Sequence, residues 1–160
     1  MKVTYFKTVI IIIGLTLFGG KAMAQNAQEA NMKLIGQFSE EVFVDKNLSN
    51  LEQYMLTDYI QHNPLVEQGS AGFKAFFSNW FTTVPDFKYT LKNIIANDEY
   101  VWVYGTYSGT HTGDWLGIPA TNNVYKFDGI DIFRISNGRL AEHWDVLDVY
   151  GLFKQLGTIK

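Results

Sequence analysis

From Asn26 to Val44 the apolar residues Met32, Leu34, Ile35, Phe38, Val42 and Phe43 recur at helical spacing, with Glu40 and Glu41 on the other side. That pattern predicts an amphipathic helix. After a break at Asp45-Lys46-Asn47, a brief helix is predicted from Leu48 to Tyr54. Tyr59-Ile60-Gln61-His62 reads as a short strand or extended piece, because Pro64 bars a helix there. Ser70 can cap a helix over about Ala71 to Phe81, closed by Thr82-Thr83-Val84-Pro85.

Beyond Pro85 the period shortens to two. Phe87, Tyr89 and Leu91 alternate with Lys88, Thr90 and Lys92, Asn97-Asp98 marks a turn, and Tyr100 to Ser108 is dense in strand formers. Gly109 to Asn123, with three glycines and a proline, reads as a loop or bulged return. Val124 to Ile135 and Leu140 to Leu147 are two more strands, joined at Asn137-Gly138, a dipeptide that favours a two-residue hairpin turn. Asp148 to Leu156 is predicted to be a short C-terminal helix. Helices first, then a meander of four antiparallel strands, define an α+β domain. A bent sheet wrapped by about three N-terminal helices makes a cone with an interior pocket.

The first residues change the picture of where this domain works. Lys2 and Lys7 precede an apolar run from Val9 to Phe18, and Ala22-Met23-Ala24 follows as a small-x-small cleavage pattern ahead of Gln25. This is the layout of a secretory signal peptide over residues 1–24, and the run is short for a membrane span. The protein is expected to be exported to the periplasm or beyond, with no stable membrane anchor after cleavage. Residues 25–160 then form a single domain. Ten Lys and Arg face all sixteen Asp and Glu in that part, a net charge of −6. An acidic domain without a basic cluster argues against nucleic acid as a partner. The chain has no cysteine, which excludes disulfides and thiolate chemistry.

The hairpin at Asn137-Gly138 sets a register. A plain two-residue turn pairs Ser136 with Arg139, Phe133 with Glu142 and Asp131 with Trp144. Asp131, Phe133, Leu140, Glu142 and Trp144 then share one face, and Ile130, Ile132, His143 and Asp145 the other. A carboxyl on a buried face among aromatic residues resists ionisation, as a general acid/base near neutral pH requires. A structural Asp131, paired with a backbone donor or a cation, is the alternative. Glu142 is the second carboxylate candidate. His62 and His111 lie in extended or looped segments and titrate near neutrality. A zinc site from His62, His111 and His143 is not expected, because this register puts His143 opposite Asp131 and no close-spaced ligand pair exists. No Gly-rich phosphate loop follows a strand, so no cofactor or metal is expected.

Four segments carry a family likeness: Tyr59-Ile60-Gln61-His62-Asn63-Pro64, Gly109-Thr110-His111-Thr112-Gly113 with its continuation to Thr121, Asp131-Ile132-Phe133-Arg134, and Glu142-His143-Trp144-Asp145-Val146. In this order they resemble the SnoaL-like polyketide cyclases of the nuclear-transport-factor-2-like superfamily. The likeness covers essentially all of the chain after residue 24. It implies a curved, mixed sheet wrapped by helices around a ligand, and ring closure by intramolecular aldol chemistry without metal or nucleotide. By position in the motif, the catalytic residues it implies are Asp131, His111 and His62. Substrate-binding candidates are Tyr59, Trp102, Tyr104 and Trp115, together with Phe133, Glu142 and Trp144. The expected activity is that of a cofactor-independent cyclase, isomerase or lyase on a small hydrophobic carbonyl compound. A non-catalytic binding module of the same fold is the alternative. Tyr100–Ser108 is apolar or aromatic on both faces, so one face needs a cover, and a homodimer is expected.

Overall fold

The computed structural model describes the backbone of residues 12–159 and the side chains of residues 25–159. Residues 1–11 of the expected export segment lie outside the described residues, and only the backbone of residues 12–24 is described. Helix α1 (Ile12–Ser39) runs into a π-helical turn over Glu40–Val44, where the Asp45 amide reaches back to the Glu40 carbonyl. Ile35, Phe38, Val42 and Phe43 are its buried stripe, as the spacing predicts. A short helix α2 (Leu51–Tyr54) leads directly into strand β1 (Met55–Gln61), which is longer than the predicted piece. Helix α3 (Gly69–Thr83) starts one turn's edge earlier than expected: Gln68 holds the cap position without a side-chain bond, and Ser70 lies within the helix. Its buried face, Phe73, Phe77 and Trp80, follows the i, i+4, i+7 rule.

Strands β2 (Lys88–Ala96), β3 (Tyr100–Thr110), β4 (Val124–Ser136) and β5 (Arg139–Leu147) form the predicted antiparallel meander. β1 joins its far edge parallel to β5, giving the order β1-β5-β4-β3-β2. The result is a mixed five-stranded sheet with helices on one side, the α+β architecture that the sequence implies. Helix α4 (Val149–Leu156) is capped by the Asp148 carboxylate on the Gly151 amide and closes the open end. Bending is helped where Gly105 faces Gly129 across β3 and β4. A Cβ on Gly105 would come within 2.5 Å of the Tyr89 ring, so the missing side chain lets that ring lie on the sheet.

The core is a continuous cluster of rings. Phe38 meets Phe43, Tyr54, Phe73 and Phe133 at centroid distances of 5.6 to 5.9 Å. Trp80 lies nearly parallel to Trp115 at 4.6 Å and donates its indole N–H to the Tyr125 hydroxyl at 2.7 Å. Aromatic pairs of this kind add to simple burial.

One departure from the predicted register matters most. Ser136 pairs with Arg139 and Ile135 with Leu140, and both Asn137 and Gly138 adopt positive φ, as the turn requires. Ala141 is then an extra residue. Beyond it Arg134 pairs with Glu142, Phe133 with His143, Ile132 with Trp144 and Asp131 with Asp145. This β-bulge reverses the faces of the rest of β5. The expectation that Glu142 and Trp144 share the face of Asp131, with His143 and Asp145 opposite, is therefore corrected. Leu140 and Ala141 are both buried in succession, which no plain strand with one solvent face allows.

Ala141 is the residue without a partner on β4, so deleting it should leave the pairs on either side in place and keep His143 and Asp145 on the concave side. The loss should be confined to the packing of Ala141 and its neighbours, about 0.5–3 kcal/mol, the range of ordinary single changes. Urea denaturation of the deletion protein should show a loss of that size. Failure of the deletion protein to fold would mean that the extra residue itself is needed for the register.

Candidate active site

The concave face of the sheet, α3, α4 and the loop after β3 enclose a cleft of about 590 Å³, mouth included. Its walls are apolar: Phe76, Phe77 and Trp80 from α3, Trp115 and Leu116 from the loop, and Val149 and Leu152 from the C-terminal end. Its floor is polar. Gln61 and Asn63 come from the end of β1, Tyr107 from β3, Asp131 from β4, and His143 and Asp145 from β5.

Strand alternation explains the convergence. β4 turns Tyr125, Phe127, Asp131 and Phe133 inward, and Asp131 is the one charged member of that row. Tyr107 donates its hydroxyl proton to Asp131 Oδ2 at 2.5 Å. The other carboxylate oxygen, Oδ1, is 3.1 Å from His143 Nε2. His143 is stacked on Phe133 at 4.8 Å, and its Nδ1 is 2.8 Å from Gln61 Oε1. Gln61 in turn accepts from the Asn63 amide at 3.0 Å and donates to the Tyr59 hydroxyl at 3.4 Å. Both oxygens of Asp131 are thus engaged inside the protein. Asp145 is held only at Oδ2, by the Asn63 side-chain amide at 2.6 Å. No hydrogen bond to its other oxygen occurs among the described residues.

The electrostatics follow from burial. Burial pushes the Asp145 carboxyl above its ordinary value, the neighbouring Asp131 charge adds to this, and the Asn63 hydrogen bond and His143 oppose it. Burial and then the Asp131 charge hold the Tyr107 hydroxyl well above its usual range, so it stays a proton donor. The donor atoms of Asp131, His143 and Asp145 lie within 4.8 Å of one another, a spacing that could also serve a metal ion. Each of the three is already bonded to a protein partner.

The predicted site residues divide between two faces. Asp131 points into the cleft and Trp115 forms part of its wall. Phe133 and Tyr59 are buried behind it, against His143 and Gln61. His62 does not join them. Alternation along β1 turns Gln61 inward and His62 outward, where His62 stacks on Trp144 at 4.3 Å with ring planes 5° apart. Its Nε2 lies 2.9 Å from Glu142 Oε2, and Arg134 holds the opposite oxygen at 2.6 Å. His62, Glu142 and Trp144 are therefore an outer-face cluster, as are Trp102 and Tyr104, whose neighbours Val101 and Val103 point inward. His111 is fully buried at the end of β3. Its Nδ1 is bound by the Thr121 hydroxyl at 3.1 Å and the Thr121 amide at 3.3 Å, and it stands behind Trp115 rather than on the cleft surface. Burial lowers the affinity of its ring for a proton.

Gln61, Asn63, Tyr107, His143 and Asp145 were not among the expected site residues. The inward phase of β1 would have found Gln61. His143 and Asp145 depend on the bulge.

The SnoaL-like polyketide cyclase model matches residues 33–156. The aklanonic acid methyl ester cyclase DauD of Streptomyces sp. (strain C5) is 28% identical over 109 residues, 67% of this chain and 66% of that protein. The nogalonic acid methyl ester cyclase of Streptomyces nogalater is 26% identical over 112 residues, 68% of this chain and 84% of its own length. TsrD of Streptomyces laurentii superposes with a TM-score of 0.75 at 32% identity, covering 82% of this chain and 97% of that one. With a family match over most of its length, named relatives that are cyclases and a fold shared with TsrD, this chain belongs to the SnoaL-like polyketide cyclase family.

Proposed function

We propose that the protein is an exported, cofactor-independent cyclase. It closes a ring in a small, mostly apolar carbonyl compound by intramolecular aldol addition, with the paired carboxylates Asp131 and Asp145 as its acid/base centre. The observation that carries this reading is the pairing itself: two aspartates opposite each other on β4 and β5, on the floor of a cleft with apolar walls. Asp145 is the member that meets the substrate, because among the described residues it keeps an unbonded oxygen while Asp131 is held by Tyr107 and His143.

As a carboxylate, Asp145 removes a proton from the carbon next to one carbonyl. The resulting enolate carbon bonds to a second carbonyl carbon of the same molecule. That carbonyl's π pair becomes an alkoxide, and Asp145 returns the proton to make the hydroxyl. No atom is gained or lost and the carboxylate is regenerated. Burial keeps Asp145 basic, and the apolar walls exclude the water that would weaken that effect. His111 supports the Trp115 wall. The His62 cluster lies on the outer face, away from this chemistry.

The relatives' names supply probes, aklanonic and nogalonic acid methyl esters. On whichever is turned over, Asp145→Asn should lower turnover by about 10²–10⁴ with the fold intact, the usual worth of a positioned acid/base. Asp131→Asn should lower it less. Full activity in Asp145→Asn would refute the assignment, and tight binding without turnover by the unaltered protein would favour the binding module. The acid limb of the pH profile should lie above 3.8, the ordinary carboxylate value, because the raised Asp145 must ionise before it can act as base.

The outer face supports a second part of the proposal, pairing with another copy of the chain. Trp102, Tyr104, Ile95 and Val146 stand 51%, 38%, 64% and 67% exposed there. Covering such a patch favours association. Light scattering of the mature protein should give twice the chain mass, and Trp102→Glu should shift it toward the monomer. A monomer at micromolar concentration would end this part. Export is supported by the apolar run and Ala22-Met23-Ala24, and sequencing of secreted protein should begin at Gln25.

A further inference from the structure

We infer that Gln61 is a positioning residue that fixes the protonation of the Asp131–His143 pair, and through it the charge felt by Asp145. The kinetic part of this inference rests on the acid/base reading of the cleft. The structural part does not.

The argument starts from which atom of the Gln61 side chain faces which neighbour. The Asn63 main-chain N–H can only donate, and it lies 3.0 Å from the atom assigned as Oε1, so that atom is the oxygen. The same oxygen stands 2.8 Å from His143 Nδ1. A carboxamide oxygen can only accept, so Nδ1 must carry a proton. His143 Nε2 then faces Asp131 Oδ1 at 3.1 Å. If His143 were neutral with its proton on Nδ1, a bare nitrogen would face a bare carboxylate. A hydrogen bond there needs one more proton, giving either imidazolium with carboxylate or imidazole with carboxylic acid. Both states sum to zero charge.

Without an acceptor at Gln61, the neutral ring can move its single proton to Nε2 and donate to Asp131 unaided. The pair then carries one negative charge. The difference is one unit of charge within 4.8 Å of Asp145. Ionisable groups that face this pair from the surrounding strands are Tyr59 on β1, Tyr89 on β2, Tyr107 on β3 and Asp145 on β5. Burial holds all three tyrosines in the neutral form. Nothing else on the cleft surface can compensate for that charge among the described residues. Removing the Gln61 acceptor should therefore raise the affinity of Asp145 for its proton, and the base form needed for catalysis would appear only at higher pH.

The test is nitrogen-15 NMR of histidine-labelled full-length mature protein, with the His143 signals identified by their loss in His143→Gln. In the parent protein Nδ1 should carry a proton throughout the neutral range. In Gln61→Leu the proton should sit on Nε2 with Nδ1 bare. Gln61→Glu, whose carboxylate still accepts, should retain the parent pattern. On a methyl ester that is turned over, the acid limb of Gln61→Leu should move up by about two pH units, the size expected for one charge at this separation. Gln61→Glu should not reproduce a loss of folding or tautomer. A bare Nδ1 in the parent protein overturns the inference whether or not any variant folds. An unchanged tautomer in a folded Gln61→Leu does so too. If neither ester is consumed, the cyclase reading fails, and the NMR result still decides the role of Gln61.

Discussion

A single extra residue in β5 organises this molecule. Ala141 stands between the part of the hairpin that follows the Asn137-Gly138 turn and the part that meets β1. Because side chains alternate with a period of two, one inserted residue exchanges the faces of everything beyond it. His143 and Asp145 are thereby aligned beside Phe133 and Asp131 on the concave side, and Glu142 and Trp144 go to the convex side. β1 is paired with this same shifted stretch, Gln61 beside His143, so the bulge also sets which β1 residues reach the floor of the cleft.

The floor is stable because its polar atoms partner one another. An isolated carboxylate in an apolar cavity would be strongly disfavoured, and a half-satisfied network is worse than none. Asp131 is answered by Tyr107 and His143, His143 by Gln61, Gln61 by Asn63 and Tyr59, and Asp145 by Asn63. The partners come from β1 and its end, β3, β4 and β5. Sheet curvature and polar network are consequently interdependent: flattening the sheet would separate the donors from the carboxylates. Among the described residues the network leaves one Asp145 oxygen, facing the cleft, without a protein partner.

The convex side follows a different logic. Its charged groups are paired near solvent: His62 with Glu142, Arg134 with Glu142, and Lys92 with Asp128. Between them stand exposed Trp102, Tyr104 and Val146. Hydrogen bonds from Lys92, Thr106 and Tyr104 hold the Asp128 carboxyl far below the ordinary range, so it is ionised at any working pH. The same strands thus present a buried, hydrogen-bonded polar surface on one side and an aromatic, charge-paired surface on the other.

Much of the fold was legible in the residues themselves. Helical spacing in Ile35, Phe38 and Val42, alternation from Phe87 onward, and the Asn137-Gly138 turn determine helix, strand and meander, because each is a local property of a few neighbouring side chains. The likeness to the family and the inward direction of Asp131 were equally readable. The rest was decided by tertiary structure. Nothing in Leu140-Ala141-Glu142 announces a bulge, since a buried alanine and an exposed one have the same local preferences. Only packing against β1 and the core selects the register that buries Leu140 and Ala141 together. The outward turn of His62 follows from alternation in β1, which buries Tyr59 and Gln61, but Gln61 emerged as a partner of His143 only once two strands 82 residues apart lay side by side.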